Sequence, residues 1–126
     1  IVGHADQDMK TIEDYREQLE AALAYGSGTH LFEDVVEAVA SGKMQAWPNG
    51  ESIVITEVLT YPRKRALHCF LAAGNRHEIM EMLPGVSAFG RSMGCTVFTM
   101  AGRTGWDRVL RKYGWEKTYH CMAMPL

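Results

Sequence analysis

Residues 66–100 decide the fold, and they read ALHCFLAAGNRHEIMEMLPGVSAFGRSMGCTVFTM. An apolar run at 66–73 is typical of a strand, and so is the run at 95–100. Between the two runs, Asn75 and Glu78 have the spacing of a capping box, which predicts the start of a helix. The stretch therefore predicts a strand, a helix and a strand in this order, which is the unit of an α/β fold.

The segments after the cap continue this alternation. Pro84 and Gly85 interrupt the helical pattern, so we predict two short helices, with Pro84 near the start of the second. After the second strand, Thr104 opens another helix, which Gly114 ends. The last strand is predicted over Lys117–Met124.

The segments before residue 66 supply a hairpin and two helices. Residues 52–59 (SIVITEVL) are rich in β-branched side chains and predict a strand, which should pair with the strand at 66–73 as an antiparallel hairpin. A shorter strand is predicted at Lys43–Trp47. Two amphipathic helices come first, and they end at Gly26 and Gly42.

The full order is ααβββ(αα)βαβ. It predicts an α/β (α+β) fold with a mixed, mostly antiparallel, twisted sheet and helices on both faces. A chain of 126 residues suits one domain. We expect an N-terminal helix with a flexible break over residues 1–28 and a core over residues 29–126.

Composition excludes several classes of protein. The chain is 47% hydrophobic and 22% charged, which argues against disorder. Thirteen basic and fifteen acidic residues give a net charge of −2, so we expect neither a nucleic-acid binder nor a membrane-surface binder. No apolar run approaches the roughly 18 residues of a membrane span.

The three cysteines, Cys69, Cys95 and Cys121, fall on three different predicted strands. None is in a C-x-x-C pair, so we expect neither a disulfide framework nor a metal site, and we read them as small buried thiols. This usage favours a reducing compartment and a cytoplasmic protein.

The order of elements resembles that of the GCN5-related N-acetyltransferases, over roughly residues 30–124. Gly94-Cys95, between a helix and a strand, is similar to the family's helix–Gly-Cys–strand junction. Arg111–Trp115 (RKYGW) is similar to its closing helix–glycine–strand element. A finer resemblance is to small acetyltransferase-like proteins of phages and prophages, which would allow association with a virion. That resemblance rests on residues 44–48 (MQAWP), 61–65 (YPRKR) and 101–106 (AGRTGW).

The resemblance implies an acyl-CoA-dependent N-acetyltransferase with acetyl-CoA as its cofactor. It implies that the backbone of Leu71–Ala73 pairs with the pantetheine arm and that Gly74–His77 faces the pyrophosphate. Its general base would come from a strand, for which Glu57 and His68 are the candidates. The cofactor-binding residues are then Leu71, Ala72, Ala73, Gly74, Asn75, Arg76 and His77, together with Arg103.

The residues themselves support part of this site. Arg76 and Arg103 follow neighbouring strands at the same edge of the sheet, where open α/β sheets usually bind ligands, so they could converge on one anion. Two independent surface arginines are the alternative. Alternation along the strand puts His68 and Phe70 on one face, and Cys69 and Leu71 on the other.

Two departures from the family pattern favour a different function. The family's glycine-rich phosphate loop corresponds here to residues 73–78 (AGNRHE), with one glycine, and Leu110 stands where the family has a tyrosine acid. The alternative is a non-catalytic, acetyltransferase-like structural or accessory protein of a phage or prophage, acting by protein association. An open cleft between the strands at 66–73 and 95–100 would favour the cofactor, and a filled cleft would favour the alternative.

The predicted last strand also suggests self-association. Residues 118–124 (TYHCMAM) carry no charge and are apolar on both faces, which is a hazard at an exposed sheet edge. If this C-terminal strand inserts between inner strands, it is part of the core and no dimer is expected. If it lies at the edge of the sheet instead, we expect a symmetric homodimer through it. Light scattering should then give twice the chain mass of 14.1 kDa, and Met122→Lys or Met124→Lys should give monomers. The mass of a single chain for the unaltered protein would contradict the dimer.

Overall fold

A computed structural model describes residues 11–26, 28–101, 105–118 and 122–126. Within them, a short 3-10 helix (Ile12–Tyr15) precedes the first α-helix. The α-helices are α1 (Arg16–Leu23), α2 (Phe32–Ala40), α3 (Arg76–Ser92) and α4 (Gly105–Arg111), and the strands are β1 (Met44–Asn49), β2 (Ser52–Thr60), β3 (Arg65–Ala73) and β4 (Val97–Met100). None of these helices is long and apolar enough to cross a lipid bilayer.

The four strands form one sheet in the order β1-β2-β3-β4. β1 and β3 each pair with β2 in antiparallel register, whereas β3 and β4 are parallel. A parallel pair needs a crossover connection, which α3 provides. The mixed, mostly antiparallel sheet and the β2–β3 hairpin are therefore confirmed.

Apolar side chains cover both faces of the sheet. On one face, the first two helices contribute Leu19 and Val35, which pack against Ile53 and Ile55 of β2. On the other face, Val54 and Leu67 of the sheet pack against Ile79 and Val86 of α3, and all four are buried. Helices on both faces are thus confirmed, because strands that are buried on both sides need cover on both sides.

A β-bulge interrupts the pairing of β2 with β3. Ile55 lies opposite Leu71 and Thr56 lies opposite Cys69, so Phe70 is the extra residue on β3. As a result, Phe70 and Leu71 both pack against the core beside α1 and α2, whereas Cys69 belongs to the core beneath α3. The expected alternation is wrong at Leu71, because a bulge shifts the side-chain period by one residue.

α3 is one continuous helix of 17 residues with Pro84 inside it, so the prediction of two short helices is wrong. Proline removes one backbone hydrogen bond at this point. The buried residues Ile79, Val86 and Gly90 lie on both sides of Pro84 and pack on the same sheet. This shared packing holds the two halves in one helix, since tertiary contacts outweigh local propensity.

The junction from α3 to β4 has the geometry that the Gly94-Cys95 motif predicts. Gly94 has a φ of +80°, and the Cys95 amide donates to the Gly90 carbonyl at 2.9 Å. These features define a Schellman cap, which needs a left-handed residue after the helix. The Arg65 guanidinium donates to the Met93 carbonyl and so neutralises the negative end of the helix.

The predicted strand at Lys117–Met124 is wrong in the part that the structure describes. Residues 115–118 and 122–126 form no strand, and residues 119–121, with Tyr119, His120 and Cys121, lie outside the described residues. Strand propensity alone does not hold a strand that lacks a ladder partner. Met122 and Met124 are exposed, and the homodimer stays a prediction.

The exit from β3 depends on Gly74. Its φ is +119°, and a Cβ atom at this position would lie 2.1 Å from Ser52 Oγ and 2.6 Å from Ser52 Cα. The adjacent Asn75 amide donates to the same Ser52 hydroxyl at 2.9 Å. A side chain at residue 74 would therefore be strained and would also separate α3 from β2.

We predict that Gly74→Ala destabilises the protein by at least about 2 kcal/mol, because it adds backbone strain and a clash with Ser52. Gly85→Ala is the matched control, since Gly85 lies in α3 with nothing near its Cβ position. This control should stabilise the helix by about 0.5–1 kcal/mol. Urea unfolding of both variants measures the difference, and equal stabilities would contradict the role of Gly74.

Candidate functional site

A cleft of about 460 Å³ opens beside β3. β4 pairs with β3 only from Ala66–Val97 to Cys69–Met100, whereas β3 continues to Ala73. The edge of residues 70–73 that would face β4 therefore has no strand partner among the described residues. The cleft is lined by β3 residues 68–72, by Met100 and Ala101, by Trp106 of α4, and by the end of α1 with the connection that follows it.

The structure brings part of the predicted site to this cleft. Leu71 and Ala72 line it, and Ala73 is buried next to them at the end of β3. Gly74–His77 follow directly, at the turn into α3 and its first residues. Arg103 lies outside the described residues, so its convergence with Arg76 stays a prediction.

His68 lines the cleft, and Glu57 lies opposite it on β2. The His68 Nδ1 atom is 2.9 Å from the Thr99 hydroxyl of β4. Burial lowers the pKa of His68, and the negative charge of Glu57 partly opposes this effect. A neutral imidazole in a cleft is suited to accept a proton near neutral pH.

Glu78 organises the N-terminus of α3. Its Oε1 atom accepts hydrogen bonds from the Ser52 hydroxyl at 2.6 Å and from Asn75 Nδ2 at 2.7 Å. The Asn75 side chain accepts in return from the Glu78 amide at 2.9 Å, so the predicted N-cap is confirmed. The capping box is not closed, because the Asn75 backbone amide donates to the Ser52 hydroxyl and not to Glu78. The bond from Ser52 is the main reason why the pKa of the Glu78 carboxyl is lowered.

This arrangement leaves the first two amides of α3 available. Among the described residues, neither the Arg76 amide nor the His77 amide donates a hydrogen bond. The two side chains are exposed, and His77 Nε2 lies 3.4 Å from a carboxylate oxygen of Glu81. An anion at this end of α3 would meet two amides and the charge of Arg76.

Sequence reasoning missed the aromatic side of the cleft. Tyr25, His30 and Trp106 line it, together with Phe70. The His30 ring lies 4.6 Å from the Phe70 ring, and His30 Nδ1 is 2.7 Å from the Thr29 hydroxyl. The α1–α2 connection carries no motif that signals a site, and only the packing of α1 on β3 brings it there.

Two other groups can be assigned to structural roles. Leu110, at the position of the family's tyrosine acid, is buried in the core, whereas Tyr113 is exposed. Burial raises the pKa of the Cys69 thiol to about 12, so this thiol is not a nucleophile near neutral pH. Among the residues that the structure describes, no three His, Cys, Asp or Glu side chains group around a possible metal position.

Comparison with solved structures defines the class of the fold. An aminoglycoside N-acetyltransferase in complex with CoA superposes with a TM-score of 0.69 at 10% identity, covering 91% of this chain and 88% of that one. A glucosamine-6-phosphate N-acetyltransferase from Arabidopsis thaliana gives a TM-score of 0.63 at 14% identity, covering 92% and 94%. A predicted acetyltransferase from Clostridium acetobutylicum with acetyl-CoA gives 0.66 at 9% identity, covering 90% and 87%.

The chain therefore has the fold of the GCN5-related N-acetyltransferases, as its motifs suggested. No protein-family model matches the sequence, and no curated protein matches it significantly. Identities of 9–14% show a shared fold and leave the reaction to be argued from the residues of the site.

The lowered pKa of His68 predicts a pH-dependent stability. The ordinary pKa of a histidine side chain is 6.5, and the folded state disfavours the protonated form of His68. As the pH falls through this value, the unfolded chain therefore binds more protons at His68 than the folded protein does. We expect the free energy of unfolding to decrease between about pH 7.5 and pH 5.5, and to decrease less in His68→Gln. Urea titrations at both pH values test this, and an equal decrease in both proteins would contradict it.

Proposed function

We propose that the protein is an acyl-CoA-dependent N-acetyltransferase with acetyl-CoA as its cofactor. The observation that carries this proposal is the open cleft along the unpaired edge of residues 70–73. The alternative function predicts a filled cleft at this place. The acetyltransferase fold supports the proposal, because some structures with this fold contain CoA or acetyl-CoA.

The cofactor arm would extend along β3. A strand edge without a partner presents amide and carbonyl groups, and the pantetheine arm carries amides that can pair with them. Leu71, Ala72 and Ala73 provide this edge where β4 has already ended. The small side chain of Ala72 on the cleft wall leaves room for the arm.

The pyrophosphate would lie where β3 meets α3. Gly74 and Asn75 form the turn between the two elements. The amides of Arg76 and His77, which donate no hydrogen bond among the described residues, lie at the N-terminus of α3, the end of a helix that favours anions. The Glu78 carboxylate at this turn accepts hydrogen bonds from Ser52 and from the Asn75 side chain, which offset part of its negative charge. Arg76 supplies the positive charge, and Arg103 would supply a second one.

His68 would act as the proton acceptor. The amine must lose a proton to attack the thioester carbonyl, and the new C–N bond then forms as the C–S bond breaks. Neutral His68 takes that proton and can return it to the departing thiolate, since Leu110 offers no acidic group. Thr99 orients the ring through Nδ1, and Glu57 stabilises its protonated form.

The alternative, a non-catalytic phage or prophage protein acting by association, has no contact among the described residues that favours it. The origin from a phage or prophage stays a prediction from three short segments. The cytoplasmic location and the association with a virion stay predictions as well.

We predict saturable heat when acetyl-CoA is titrated into the protein in a calorimeter, and an affinity about tenfold lower for Arg76→Glu. The reversal places a negative charge beside the cofactor phosphates. Arg91→Glu is the matched control, because Arg91 lies fifteen residues further along α3, roughly 22 Å away. It should bind like the unaltered protein, and a flat titration at millimolar acetyl-CoA would refute the proposed function.

A further inference from the structure

We propose that the acceptor is an amine with a single positive charge and an aromatic body. This inference rests on the proposed function and deepens it, since it names the class of the second substrate. Two features of the cleft carry it, namely the absence of formal charge on its described walls and the aromatic rings gathered there.

The first feature is electrostatic. None of the described residues that line the cleft is Asp, Glu, Lys or Arg. Glu57 faces His68 across the β2–β3 ladder and is not part of the lining. A polyamine would have to bury several ammonium groups without a carboxylate to pair with them, and an unpaired buried charge is costly. A monoamine buries one charge, and proton transfer moves this charge to the His68 ring, whose protonated form Glu57 favours.

The second feature is the aromatic wall. The Phe70 and His30 rings are in contact in a tilted arrangement, with centroids 4.6 Å apart and an angle of 59° between their planes. Tyr25 and Trp106 line the same cleft from α1's end and from α4. Such rings bind flat apolar groups, and their faces also attract an ammonium group. They therefore suit both ends of an aromatic monoamine.

The bulge on β3 adds an apolar side chain, Leu71, beside this wall. It turns Phe70 and Leu71 to the same face, where Phe70 contacts His30 of the α1–α2 connection. The volume of about 460 Å³ lies within the range of pockets that hold small molecules. Because the pantetheine arm would take part of this volume along Leu71 and Ala72, the space that is left suits a compact amine. Phe70, His30 and Trp106 are half-buried, whereas Tyr25 is 70% exposed.

The experiment measures thiol release from acetyl-CoA by the 126-residue protein with phenethylamine and with spermidine as probes. We expect kcat/KM to be at least roughly tenfold higher for phenethylamine. Tyr25→Ala should raise the KM for phenethylamine about threefold with kcat unchanged, and Tyr25→Phe should restore it. Tyr61→Ala is the control, because Tyr61 is a comparably exposed tyrosine outside the cleft.

Phenethylamine binding to the protein without cofactor is measured by calorimetry alongside. Turnover that favours spermidine, or acetyl-CoA binding with no response to phenethylamine, would overturn the inference and leave the proposed function intact. A flat acetyl-CoA titration would refute the proposed function. If that titration is flat, the binding of phenethylamine to the protein without cofactor can still be measured. Binding that Tyr25→Ala weakens would support an aromatic monoamine as the ligand of the cleft, and the absence of such binding would overturn this inference too.

Discussion

The unequal lengths of β3 and β4 are the constraint on which the site depends. β3 has nine residues and β4 has four, so the parallel ladder ends at Cys69 and Met100 while β3 continues. Backbone polar groups seek hydrogen-bond partners, and an unpaired edge inside a fold is a place where another chain-like molecule can bind. Helices on both faces enclose this edge and turn it into a cleft.

The bulge at Phe70 decides which side chains of β3 lie on the face that α1 covers. Without it, strict alternation would leave Phe70 on the face of His68 and turn Leu71 to the core beneath α3. The extra residue brings two consecutive side chains to the face that α1 covers, and α1 brings the α1–α2 connection to β3. An ionisable ring, His68, therefore lies beside an apolar and aromatic wall, and burial keeps this ring neutral.

Local sequence patterns predicted most of the helices and strands but only a small part of the candidate site. Asn75, Glu78 and Gly94 signalled the two ends of α3, since caps depend on residues three or four positions apart. Pro84 misled the prediction, because the packing of the whole helix on the sheet outweighs one lost hydrogen bond. The C-terminal run misled it as well in its described part, residues 117–118 and 122–124, because a strand needs a partner that composition does not supply.

The family resemblance pointed to β3 as part of the site. The sequence by itself determined the β2–β3 hairpin, the two ends of α3 and the order of the elements through α4, apart from the break expected at Pro84. These depend on periodicity, on short turns and on caps, all of which act over a few neighbouring residues. Only the tertiary structure decided the bulge at Phe70, the early end of β4 and the meeting of His30 and Trp106 with His68. Each of these depends on contacts between residues far apart in the chain, whose geometry is set when the helices pack on the sheet.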